Sequence, residues 1–182
     1  MKFTELAVKG CFEVELDLLG DDRGWFSRFY CSADFADAGI PMVVAQINNS
    51  FSREMGTLRG LHFQRGASSE EKLVRVLRGS VFDVVLDLRR DSPSYGRWAA
   101  VELTSEKRNM MLVPKGCAHG VLTLEPDTEL LYVTSAPYDA PSEGGVRWDD
   151  PQFRIQWPFT PTTISAKDAS WPLWTPGDSV LD

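Results

Sequence analysis

Residues 12–18 set the pattern for the chain. Phe12, Val14, Leu16 and Leu18 alternate with Glu13, Glu15 and Asp17, the period of two that places apolar side chains on one face of a strand and acids on the other. Further strand-like runs cover 42–49, 57–64, 72–78, 80–88, 97–103, 109–113, 119–124 and 129–135. Turn chemistry separates them at Arg78-Gly79-Ser80, Ser92-Pro93, Pro114-Lys115-Gly116 and Pro126-Asp127. Residues 32–39 read as a helix, with Ser32 as its N-cap and Gly39 as its stop, and a second short helix is expected near 165–170. After about residue 137 the chain is rich in Pro and Trp with little periodicity, as for a tail packed on the body. Many short strands joined by tight turns predict a mainly β fold, a sandwich or barrel with a few short helices.

Length and composition narrow the class. The 182 residues suit a single domain, 1–182, with a core of its own. Six Trp and ten Phe exclude disorder. No apolar run approaches the ~18–20 residues of a membrane helix, and Met1–Glu5 begins no signal peptide. The net charge of −7 opposes non-specific binding to nucleic acid or an anionic membrane. The balance is uneven, however. Residues 53–90 hold eight Lys and Arg against five acids, a local cationic excess suited to a small anionic ligand, although most of these charges are expected to be solvated. The three cysteines, Cys11, Cys31 and Cys117, are far apart and form no CxxC. They offer neither a disulfide framework nor a zinc site and fit a reducing cytoplasm. Cys117 stands close to His119, which invites a thiol-nucleophile reading, but a small buried apolar role is the commoner one.

The two histidines, His62 and His119, are the natural candidates for acid–base work. Strand parity groups His62 with Gln64, Lys72 with Val74 and Val76, Asp83 with Val81 and Val85, and Tyr132 with Leu130. A barrel that took in one face of each strand would collect His62, Lys72, Asp83 and Tyr132. A His near a carboxylate serves as general base near pH 7, a Tyr returns a proton, and a Lys holds a developing oxyanion. That is the equipment for proton abstraction next to a ketone. The chain has no nucleophile elbow, phosphate-cradling Gly-rich loop or dinucleotide fingerprint.

An ordered set of strings runs through residues 12–172: Arg23-Gly24-Trp25-Phe26, Leu58-Arg59-Gly60-Leu61-His62-Phe63-Gln64, Lys72-Leu73-Val74-Arg75-Val76 and Asp83-Val84-Val85-Leu86-Asp87-Leu88-Arg89. Ser92-Pro93-Ser94-Tyr95-Gly96, Pro114-Lys115-Gly116-Cys117-Ala118-His119-Gly120, Trp148-Asp149-Asp150-Pro151 and Ser165-Ala166-Lys167-Asp168 continue it. Any one string is weak, but the series resembles the nucleotide-sugar 3,5-epimerases of the dTDP-4-dehydrorhamnose 3,5-epimerase type. The resemblance implies a cupin (jelly-roll) β-barrel that uses no metal or other cofactor, in a homodimer formed by strand exchange. It matches His62 to the catalytic base, Asp168 to its paired carboxylate, Tyr132 to the proton donor and Lys72 to the enolate-stabilising lysine. Asp83 is matched to a supporting polar residue, and Arg59 and His119 to substrate contacts. Arg23, Phe26, Gln46, Asn48, Tyr138, Glu143 and Lys167 match nucleotide or diphosphate contacts, with Tyr138 stacking on the base.

The implied substrate is a nucleotide-diphosphate 4-keto-6-deoxyhexose. The chain departs from the family in having Arg28 where Glu contacts the nucleotide, one extra residue between Gln46 and Arg59, and Cys117 and Val121 where Phe is common. A CDP-linked sugar, inversion at C3 or C5 alone, and 3,4-ketoisomerisation are therefore alternatives. A non-catalytic sugar-binding cupin has no use for His62, Lys72, Tyr132 and Asp168 together. A metal-dependent oxygenase needs a His-x-His pair, and Gln64 stands where the second His belongs.

Overall fold

A computed structural model describes residues 1–178, 180 and 181. The chain opens with β1 (Lys2–Glu5), β2 (Phe12–Glu15) and the hairpin β3 (Leu19–Asp21) and β4 (Gly24–Phe26), followed by helix α1 (Ser32–Asp37). The body contains β5 (Gln46–Ser52), β6 (Thr57–Gln64), β7 (Lys72–Arg78) and β8 (Ser80–Asp87). It continues with β9 (Trp98–Thr104), β10 (Met110–Val113), β11 (Cys117–Thr123) and β12 (Thr128–Thr134). Short β13 (Glu143–Gly145), β14 (Thr163–Ile164) and helix α2 (Ala166–Ala169) lie in the tail.

Two sheets result. One has the order β1-β2-β10-β7-β12-β5 and the other β13-β6-β11-β8-β9, with β14 added parallel to β6. The body strands pair antiparallel, and neighbours distant in sequence, such as β2 with β10, mark the crossovers of a jelly roll. The mainly β cupin architecture is thus the expected one.

Strand parity sorts the core into three layers. Val74, Val76, Val81, Val85, Val121 and Leu130 meet between the sheets. The opposite face of the second sheet, including Leu61, Phe63 and Leu86, is covered by Phe153, Trp157 and Trp174 of the tail. The opposite face of the first sheet packs Leu73, Met110 and Val133 under Phe35 of α1. Strands covered on both faces read as continuous apolar runs, which explains 110–113 and much of 80–88.

The elements differ from expectation at several ends. The β2 ladder stops at Glu15 because Lys2 is the last partner β1 offers, so the alternation at 16–18 outruns the sheet. Strand β5 starts at Gln46, opposite Thr134, and runs on to Ser52, so 42–45 lie outside it. Ser32 is inside α1; its N-cap is Cys31, whose side chain makes no capping bond. In α2 the Ser165 hydroxyl does cap, accepting from the Asp168 N–H at 3.0 Å. The hydrophobic pattern does not announce β1, β3, β4, β13 or β14, since two to four residues hold at most two periods. Among the described residues no helix is long and apolar enough to cross a membrane.

Candidate active site

A cavity of about 500 Å³ opens between the sheets and takes in His62, His119, Lys72, Tyr132, Arg59 and Asp168. The strand registers assemble it. His62 on β6 and His119 on β11 are direct partners across one ladder. Lys72 and Tyr132 come from β7 and β12 of the facing sheet, and Asp168 from α2.

Each imidazole is held through Nε2 by a buried carboxylate. His62 meets Asp168 Oδ1 at 2.6 Å and His119 meets Asp83 Oδ1 at 2.5 Å. Nδ1 of each ring is the nitrogen that the carboxylate does not engage, and both rings line the cavity. Burial resists ionisation of Asp168, but the His62 hydrogen bond and charge, with the Gly60 and Ser165 bonds, hold its carboxyl below the ordinary range. For Asp83 the balance is reversed. Its complete burial pushes the carboxyl up against the pull of His119, and its Oδ2 has no hydrogen-bond partner among the described residues.

Simple alternation would turn Arg59 and His62 to opposite faces. The pairs His119↔His62 and Val121↔Arg59 enclose one extra residue of β6, a bulge that brings both side chains to the cavity. Gly60 permits it. Its φ is +127°, and a Cβ there would stand 2.5 Å from Gly120 Cα. Arg59 Nε donates to Ser52 Oγ at 3.1 Å and its guanidinium to Phe51 O at 3.0 Å. Lys72 pairs at 3.2 Å with Glu70, a residue the sequence pattern does not single out from its neighbour Glu71.

A narrower recess of about 130 Å³ shares His62, Lys72 and Tyr132 with the cavity and extends it towards Gln46, Asn48 and Tyr138. Gln46 donates to Asn48 Oδ1 at 2.8 Å and accepts from the Tyr138 N–H at 2.9 Å. Glu143 Oε2 accepts from the Tyr138 hydroxyl at 2.7 Å and from Lys167 at 2.5 Å. Burial opposes ionisation of Glu143, but these two donors hold it below its usual range. Its bond to Glu143 raises Tyr138. Two linked hydrogen-bonded groups, joined through Tyr138, therefore unite five expected nucleotide contacts at one rim.

Arg23, Phe26 and Arg28 do not join them within one chain. Arg23 pairs with Asp21 on the exposed β3–β4 hairpin, Phe26 is 63% exposed, and Arg28 is exposed. Cys117 takes the small buried apolar role favoured over that of a thiol nucleophile. Its sulfur is buried 3.9 Å from the Asp87 carboxylate, outside the cavity lining, and burial pushes the thiol up. Gln64 is committed to structure, donating to Ser68 O and Pro137 O and accepting from the Asp139 N–H.

Comparison with known proteins places this geometry in context. Residues 5–175 match the family model described as dTDP-4-dehydrorhamnose 3,5-epimerase. The chain is 40% identical over 175 residues to the Salmonella typhimurium protein of that name, covering 95% of each. The crystal structure of the Bacillus anthracis epimerase, with TDP and PPi bound, superposes with a TM-score of 0.92 at 39% identity, covering 95% of this chain and 99% of that one. The Legionella pneumophila epimerase in complex with dTDP-4-keto-L-rhamnose gives 0.88 at 34% identity, with coverage of 94% and 92%.

Proposed function

The chain belongs to the dTDP-4-dehydrorhamnose 3,5-epimerase family, isomerases of nucleotide sugars, and on that premise we propose that it inverts C3 and C5 of a dTDP-linked 4-keto-6-deoxyhexose through an enolate. The observation that carries the mechanism is the placement of His62 and Tyr132 on opposite sheets across one cavity. Inversion requires a proton to leave one face of the sugar ring and another to arrive on the other.

The C4 ketone acidifies the C–H bonds at C3 and C5. His62 Nδ1 takes one of these protons. The C–H electron pair moves into a C=C bond and the carbonyl oxygen becomes an enolate, which the Lys72 ammonium meets. Asp168 fixes the His62 tautomer and balances the imidazolium. The Tyr132 hydroxyl then protonates the carbon from the facing wall and the carbonyl re-forms. Arg59 and His119 hold the sugar, with Asp83 orienting His119. The chemistry calls for no redox partner, and Lys72 supplies the charge a metal would otherwise bring.

The rim formed by Gln46, Asn48, Tyr138, Glu143 and Lys167 receives the nucleotide diphosphate, with the exposed Tyr138 ring stacking on the base. A second copy of the chain supplies Arg23, Phe26 and Arg28. The homodimer is supported by the open edge strand β5, which shows Ile47 at 61% and Phe51 at 50% exposure.

Proton NMR in heavy water with dTDP-4-keto-6-deoxyglucose tests the reading. Loss of the H3 and H5 signals with formation of the 4-keto-rhamnose product is expected. Exchange at one carbon alone would make the enzyme monofunctional, migration of the carbonyl to C3 would make it a ketoisomerase, and activity only on the CDP sugar would overturn the base assignment.

A further inference from the structure

We propose that Glu70 is a positioning residue, one that sets the ammonium of Lys72 where the enolate forms; the inference rests on the role given to Lys72 above. Lys72 is the first residue of β7, and its four-carbon stem has no geometry of its own to aim the charge. Glu70 Oε1 stands 3.2 Å from Lys72 Nζ, with the side chains only 10% and 15% exposed. Two other carboxylates of the cationic stretch 53–90 have no such place. Glu54 is exposed, and Asp87 is spent on Arg89, Ser92 and Ser94.

The backbone around Glu70 is tied on both sides. Ser69 Oγ accepts from the Gly116 N–H at 3.2 Å, while Glu71 donates through its N–H to Ser135 Oγ at 2.8 Å and accepts from the Ser135 N–H at 3.0 Å. The main chain that carries Glu70 is therefore held in place, and its carboxylate is the partner of the ammonium. Lys72 also lies at the junction of the cavity and the nucleotide recess, with Glu70 on the recess side. An ammonium tethered to Glu70 stays at this junction, which Tyr132 and His62 also line, instead of following the diphosphate of the substrate.

The test is a double-mutant cycle in the full-length enzyme, reading kcat and KM. Glu70→Ala should lower kcat about 10–100-fold, the usual penalty of a misplaced group, with KM within about twofold, as expected when the lost interaction matters only in the transition state. Glu70→Gln keeps an acceptor oxygen and should recover most of kcat. In the Lys72→Ala background, Glu70→Ala should cost nothing further. Additive losses, a wild-type kcat in Glu70→Ala, or a loss confined to KM would overturn the inference. If Lys72→Ala is itself as fast as wild type, the role of Lys72 falls and that of Glu70 with it. A slow Lys72→Ala beside a fast Glu70→Ala removes Glu70 alone.

Discussion

Asp168→Asn tests the base directly, because it exchanges one oxygen for an NH2 group at almost constant shape. Oδ1 of the carboxylate meets His62 Nε2 at 2.6 Å and Oδ2 accepts from the Gly60 N–H at 3.3 Å. An amide has a single oxygen. If that oxygen stays on Gly60, the NH2 faces His62 and can only donate. Nε2 must then accept, the ring proton moves to Nδ1, and no lone pair faces the cavity. If the amide turns over, the NH2 confronts the Gly60 N–H in a site where Asp168 is 5% exposed. The imidazolium formed during turnover also loses its counter-charge. Loss of a working general base costs about 10²–10⁴ in rate, equivalent to about 3–5 kcal/mol of barrier. The assay is deuterium wash-in at C3 and C5 with calorimetric binding of dTDP in parallel, and binding should stay within about twofold. A rate loss under about fivefold, or one explained by weakened binding, would refute the argument.

Tyr132→Phe removes the returning proton but keeps base and ring, so net inversion should fall about 10²-fold or more while wash-in of deuterium outlasts it; equal losses of both would remove Tyr132 as the donor. Chelator-treated, metal-analysed enzyme should retain full activity, because Gln64 is occupied by structural hydrogen bonds and each histidine already gives Nε2 to a carboxylate. Loss of turnover on removing a stoichiometric metal would contradict this. Asp168 and Glu143 are held below the ordinary carboxylate range. Their stabilisation is therefore complete above that range and is lost as pH falls through the depressed values. The Tm should drop below about pH 4, and less steeply in Asp168→Asn; an unchanged slope would discount Asp168. Arg28→Glu should raise the preference for dTDP over CDP, since thymine N3–H needs an acceptor and Arg only donates. An equal ratio in both proteins would dismiss residue 28.

The interior face of the site was legible from alternation because apolar neighbours fix its direction. Lys72 shares a face with Val74 and Val76, Tyr132 with Leu130, and Asp83 with Val81 and Val85, all of which pack between the sheets. Arg59 was not legible in this way, for its inward turn depends on the bulge at Gly60, which no periodicity encodes. Asp168 lies 106 residues from its histidine. It arrives through a two-residue parallel pairing of β14 with β6, too short to leave a pattern, and a four-residue helix capped by Ser165, which the sequence announces as a helix without showing where it docks. The Glu70 pairing is equally hidden, since adjacent Glu70 and Glu71 differ only in where the loop before β7 aims them.

The two histidine–carboxylate dyads and the exposed β3–β4 hairpin are held by different physics. The two dyads hang on one register. Sliding β6 by one residue against β11 would part His62 from His119 and send the Leu61 and Phe63 face from under the tail into the cavity. That register is fixed by apolar packing on both faces of the sheet, so a chain that folds at all presents both imidazoles to the cavity. The hairpin bearing Arg23 and Phe26 has no such constraint. Its strands are three residues long, and every one of those residues is exposed. A change at the exposed Arg28, which follows the hairpin, is therefore expected to leave His62–Asp168 and His119–Asp83 intact.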